Sequence, residues 1–214
     1  MNICEKFGSI SKQKMREMID LSYKNDCEYF TIVKKDYSLG EIIRGEKDAC
    51  YPDNITELNK GNIIGHFHTH THSKESYYDT LNKGLNFFDE LKEKGEDIDK
   101  IERMKKIFPK NIIKTFSKMS VDDLRYAISR GFTVECIGFR DNEEKSRVFC
   151  HSLYSDAKKR LLNNTMSLDR EMQEIFKKTY LNWINGKQSE GFDDSFIFMI
   201  VTEWIIKETC EVNI

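Results

Sequence analysis

Four of the five histidines in this 214-residue chain, His66, His68, His70 and His72, occupy alternate positions of one heptapeptide. On a β-strand, side chains two apart share a face and stand about 6.6 Å apart along the chain, so imidazoles at i and i+2 can converge on one ion. Zinc takes histidine nitrogens into a tetrahedron, and a catalytic site uses three protein ligands with the fourth position open. Two histidines therefore call for a third ligand, with a carboxylate the expected type. The other readings of the cluster are a solvated strand edge and a His-rich tract that binds metal without chemistry. Zinc deaminase chemistry needs H-x-E followed by P-C-x-x-C, and neither is present.

The elements around the histidines follow from periodicity and stop signals. Ser9 or Ser11 can cap a helix carrying Met15, Met18 and Ile19 at helical spacing and ending near Asn25-Asp26. A strand begins at Glu28. Tyr29 to Val33 and Tyr37 to Arg44, with Gly40 a bulge candidate, form two runs able to pair as a hairpin across Lys34 to Asp36, and Asn62 to His70 forms a third strand.

Residues 73 to 118 read as a charged helical hairpin with Leu81, Leu85, Phe88 and Leu91 on one stripe and Ile98, Ile101 and Phe108 on another, the second helix ending at Pro109. An α/β pattern then resumes: a helix from Val121 to Ser129 stopped by Gly131, a strand Phe132 to Phe139, a turn at Asp141-Asn142 and a strand Arg147 to Tyr154. From Asp156 the chain reads as helical, closing with an apolar helix from Phe192 to Cys210.

Composition narrows the function classes. Lys+Arg 34 against Asp+Glu 36 leaves a formal charge of -2, so no global positive field draws nucleic acid or an anionic membrane. The longest apolar stretch, Phe196 to Ile206, is interrupted by Thr202 and Glu203 and falls short of the roughly 20 residues of a bilayer span. The first residues show no basic segment leading into an apolar run, from which a cytoplasmic address is expected. The six cysteines (4, 27, 50, 136, 150 and 210) form no C-x-x-C pair and are expected to act as small hydrophobes, Cys136 and Cys150 within strands.

At Asn62-Ile-Ile-Gly-His-Phe-His-Thr-His70 the chain resembles the JAMM (MPN+) zinc metalloproteases, whose site comprises an upstream Glu, His-Ser/Thr-His and a later Ser-x-x-Asp. The order of elements over residues 9 to 154 fits that family apart from the insertion. The resemblance implies an α/β fold: a JAMM/MPN-like, cytidine-deaminase-like mixed sheet flanked by helices. It implies a catalytic domain over 1–154, with the helical insertion at about 73–118 and a C-terminal helical extension over 155–214 packed on the same domain.

By position, the resemblance makes His68 and His70 zinc ligands and leaves His66 and His72 outside the motif. Two Ser-x-x-Asp segments compete. Ser76 to Asp79 lies nearer to His70, whereas Ser120 to Asp123 is followed by the helix, Gly stop and buried strand expected downstream. We choose Ser120 and Asp123, although Ser at N-cap with an acid at N3 is also an ordinary capping box. Glu28, at the start of the first strand, is the expected general base, with Glu41 in reserve and Glu46 in a turn.

The implied reaction is hydrolysis of an amide or isopeptide bond without a covalent enzyme intermediate, with a ubiquitin-like modifier or another protein or peptide as substrate and Zn2+ as cofactor. Departures from the motif are Thr71 in place of the usual Pro and His72 beyond it; His72 or Asp79 could replace Asp123. Two alternatives stand beside this reading. One is a PHP-type phosphoesterase, since His68-Thr-His-Thr-His-Ser73 resembles that family's first metal motif. The other is a non-catalytic MPN-like interaction module.

Overall fold

The computed structural model describes residues 2–47, 61–71, 74–95, 97–116, 120–141, 143–165, 170, 173–174 and 204–214. Helix α1 (Ser9–Asn25) is amphipathic, and Met15, Met18 and Ile19 lie at 0–1 % exposure. Burial of each is worth about 1.5–3 kcal/mol, which docks the helix on the sheet. Its N-cap is Gly8, without a side-chain cap, while the Ser11 hydroxyl donates to the Tyr37 carbonyl at 2.9 Å. Neither serine expected to cap this helix does so.

The sheet contains β1 (Tyr29–Lys34), β2 (Ile43–Arg44), β3 (Ile63–Thr69), β4 (Val134–Arg140), β5 (Ser146–Leu153) and β6 (Ile206–Glu211), in the spatial order β2-β1-β3-β4-β5-β6. β3 and β4 run parallel, and the other neighbours are antiparallel. The second expected strand is confined to Ile43–Arg44 and an isolated bridge of Leu39 with Val33, after a tight turn in which Tyr37 lies at φ 63° and Asp36 Oδ1 accepts from the Ser38 N–H.

The two faces of the sheet have separate cores. Phe67, Val134, Cys136, Val148 and Cys150 pack with α1, whereas Ile137, Phe139 and Leu153 pack with Leu124, Ala127 and Ile128 of α4 (Val121–Arg130) and with Leu161 of α5 (Ala157–Thr165). Two glycines allow close approach, Gly65 between paired strands and Gly138 beneath the Phe67 ring and α1. A Cβ at Gly65 would stand 1.7 Å from the Val134 carbonyl oxygen, and one at Gly138 would meet the Phe67 ring at 2.6 Å.

The long connection from β3 to β4 carries α2 (Lys74–Glu93) and α3 (Ile98–Phe116), which pack mainly on each other, as the helical hairpin expected there requires. Phe88 and Phe108 meet edge to face at 5.3 Å, and a side chain at Gly84 would strike the Phe108 ring. The expected stop at Pro109 is corrected: α3 continues to Phe116. Interior proline costs a helix about 3 kcal/mol, and the apolar stripe held against α2 offsets that loss.

Two further expectations change. The end of the expected C-terminal helix is strand: Ile206–Glu211 pairs with β5, and most of residues 166–203 lie outside the described residues. Nor are the cysteines simply small hydrophobes. The β4–β5 register sets Cys136 opposite Cys150, β6 carries Cys210 to the N-terminal turn, and the pairs Cys136–Cys150 and Cys4–Cys210 are disulfide-bonded. Cys27 is buried and free. No described helix is long and apolar enough to cross a membrane.

Candidate metal centre

His66, His68 and His70 share the sheet face covered by α4, since the pleat sends residues two apart to the same side. His66 and His68 are buried, 2 % and 3 % exposed. His66 lies among rings, stacked on Phe30 at 4.8 Å and edge-on to Tyr126 and Phe132. His70 is the last of the three, beyond the end of β3, and its N–H donates to the Gly138 carbonyl on β4 at 2.8 Å.

Asp123 arrives from above on the first turn of α4. Ser120 is the N-cap: its Oγ accepts from the Asp123 N–H at 3.1 Å, and Asp123 Oδ2 accepts from the Ser120 N–H at 2.7 Å. This capping box fixes the helix start and aims the carboxylate downward. The same Oδ2 lies 3.4 Å from His68 Nε2 and 4.0 Å from His70 Nε2, and the two histidine nitrogens are 3.0 Å apart.

Burial opposes charge on both His68 and Asp123, but each overcomes it through the other. The Asp123 carboxylate, with Glu135 assisting, raises the His68 pKa well above the ordinary value. His68, then the Ser120 hydroxyl and His70, hold the Asp123 carboxyl far below the usual carboxylate range.

The donor set suits a divalent ion. Among the described residues, His66, His68 and Asp123 offer ligand atoms within 4.8 Å of one another. His70 completes a tighter set, because His66 Nε2 is turned toward Glu135 Oε1 at 2.5 Å whereas His70 Nε2 faces His68 and Asp123. Tetrahedral zinc with bonds near 2.0–2.1 Å separates its ligands by about 3.3 Å. The three edges of the His68, His70 and Asp123 triangle, 3.0, 3.4 and 4.0 Å, bracket that separation.

Glu28 is half-buried just before β1, its N–H bonded to the Glu46 carbonyl and its carbonyl accepting from Gly45. Continuing the Phe30↔His68 register by two residues sets Glu28 opposite His70, on the histidine face. Glu41 and Glu46 are exposed. Asp79 is also exposed and pairs with Lys83 one turn along α2 at 2.6 Å. His72 lies outside the described residues, as does the side chain of Ser76. His151 Nδ1 is 2.9 Å from Thr209 Oγ1, across β5 and β6.

One residue of the site was missed in the sequence reading. Glu135 on β4 is 0 % exposed, stands opposite His66 in the parallel register, and brings Oε1 within 3.3 Å of His68 Nδ1. Its signal was available: an acid at an inward position of an otherwise apolar strand, in step with Ile137 and Phe139. Comparison of the chain with protein-family models, with curated proteins and with solved structures found no match.

Proposed function

We propose that the chain is a zinc-dependent hydrolase of the JAMM/MPN+ kind, cleaving an amide or isopeptide bond, with the C-terminus of a ubiquitin-like protein as the expected substrate. The observation that carries this reading is the triangle of His68 Nε2, His70 Nε2 and Asp123 Oδ2. Two neutral imidazoles and one carboxylate would hold Zn2+ with a net charge of +1 and leave one position open. Bound there, the ion would supply Lewis acidity to polarise a carbonyl and acidify a water.

The rest of the chemistry falls to the chain. Glu28 accepts the proton of the attacking water and delivers it to the leaving amine as the C–N bond breaks. The Ser120 hydroxyl, whose oxygen accepts from the Asp123 N–H, would turn its own hydrogen from the Asp123 carboxylate to the developing oxyanion. The partly exposed edge of the triangle at His70 and Asp123 is where a substrate carbonyl enters.

The test is elemental analysis together with cleavage of a ubiquitin-like C-terminal fusion and, separately, of a phosphate ester. About one zinc per chain, lost in a His68→Ala/His70→Ala double variant, with cleavage of the fusion alone, is the expected result. Cleavage of the phosphate ester alone would instead favour the PHP-type reading, and zinc binding without either cleavage the interaction module.

A further inference from the structure

We infer that Glu135 is the positioning residue for His68, the buried carboxylate that fixes the tautomer and orientation of that ring; this rests on the metal-site reading above. With Nε2 of His68 directed at His70 and Asp123, a metal-binding lone pair at Nε2 leaves the ring proton on Nδ1. That N–H is buried and needs an acceptor, and Glu135 Oε1 lies 3.3 Å from it. Metal-bound histidines are commonly held in this way, by a carboxylate on the second ring nitrogen that orients the ring and raises its basicity.

The placement of Glu135 follows from the fold. Parallel pairing sets it opposite His66, and antiparallel pairing sets it opposite His151, so β4 carries a single acid between two histidines in the middle of the sheet. Its Oε1 is 2.5 Å from His66 Nε2, yet neither carboxylate oxygen makes a well-aligned hydrogen bond among the described residues. An apolar residue in this core would serve stability as well as a buried ion pair or better. A carboxylate without aligned hydrogen bonds, placed beside the second nitrogen of a proposed ligand, points to the site and not to the core.

Zinc affinity by chelator competition, with the absorption spectrum of the cobalt(II)-loaded full chain, tests the assignment in wild type, Glu135→Gln and Glu135→Leu. Glu135→Gln preserves size and is expected to fold, and it weakens zinc about tenfold; Glu135→Leu, without an acceptor, approaches a hundredfold. Both keep one metal per chain and a tetrahedral cobalt spectrum. Unchanged affinity in Glu135→Gln overturns the role of Glu135, as does a change in metal count or coordination geometry, which would make Glu135 a direct ligand. Failure of wild type to bind zinc through His68 and His70 overturns the site itself and is recognised before any variant is compared.

Discussion

Asp123 Oδ2 lies 3.4 Å from His68 Nε2 while accepting the Ser120 N–H at 2.7 Å, so one oxygen both closes a helix capping box and faces the histidine pair. The two roles are compatible because a carboxylate oxygen has lone pairs for both. A consequence separates the rival aspartates. Asp123→Ala removes zinc and costs about 1 kcal/mol of helix-start stability. Asp79→Ala, which among the described residues breaks an exposed pair with Lys83, leaves zinc content unchanged. Elemental analysis and urea unfolding of the two variants give the comparison, and zinc loss in Asp79→Ala alone would refute the choice of Asp123.

In the proposed reaction Glu28 belongs to the chemistry and not to the ligand set. Glu28→Gln is therefore expected to retain one zinc per chain while the cleavage rate falls by about 10²–10⁴, the usual contribution of a general base. Loss of metal in this variant would make Glu28 a ligand; full activity would return the role to Glu41.

In the proposed site Ser120 combines structure and chemistry in the same way as Asp123. Ser120→Ala loses the side-chain cap, worth about 1 kcal/mol, and the hydroxyl proposed for the oxyanion. A fall in kcat of about 10²–10³ with little change in KM is the expected signature. Ser120→Thr keeps both cap and hydroxyl and should recover most of the stability; a stability loss without a kcat effect in the Ala variant would leave Ser120 as a cap alone.

The fold around the site was readable where local signals agreed with packing. The His-x-His alternation, the Ser120 to Asp123 box and the Gly131 stop each depend on spacing over a few residues, and each reappears in the structure as the geometry at β3 and α4. Long-range pairing hid the rest. Ile206–Glu211 follows an apolar run that reads as helix, and only its partner β5 makes it a strand. The Cys4–Cys210 link joins residues 206 apart, a distance over which no spacing rule operates. Glu135 is visible in the sequence as an acid on an apolar strand, but its partner is set only by the parallel register that places it beside His66.

Protonation of the metal-free site sets a pH dependence. The raised His68 pKa means that its charged form stabilises the fold below the ordinary histidine value and that this contribution disappears as pH rises through the raised pKa. The lowered Asp123 pKa means that its contribution is present above the ordinary carboxylate value and is lost as pH falls toward the lowered one. The metal-free chain thus holds a proton on His68 to higher pH than an ordinary histidine would, and a bound ion must expel it. Zinc affinity should rise with pH by up to about tenfold per unit, with one proton released. Calorimetry in buffers of different ionisation enthalpy measures that release, and a pH-independent affinity would contradict the assignment.

Gly65 gives a test of how the strands position the histidines. It precedes His66 on β3 and pairs with Val134, where an added Cβ would stand 1.7 Å from the Val134 carbonyl oxygen and 2.9 Å from its Cβ. Backbone cannot yield as a flexible side chain can, so Gly65→Ala forces β3 and β4 apart at the point where His66 faces Glu135. The expected cost is about 1–3 kcal/mol or more, read as a lower urea midpoint, together with weaker zinc binding. Gly84→Ala also makes a close clash, at 2.1 Å, but with the Phe108 ring in the α2–α3 hairpin. It should loosen that hairpin while zinc affinity stays at the wild-type value. Equal zinc loss in both variants would show that the hairpin helps to hold the site; loss in Gly65→Ala alone assigns that work to the β3–β4 register.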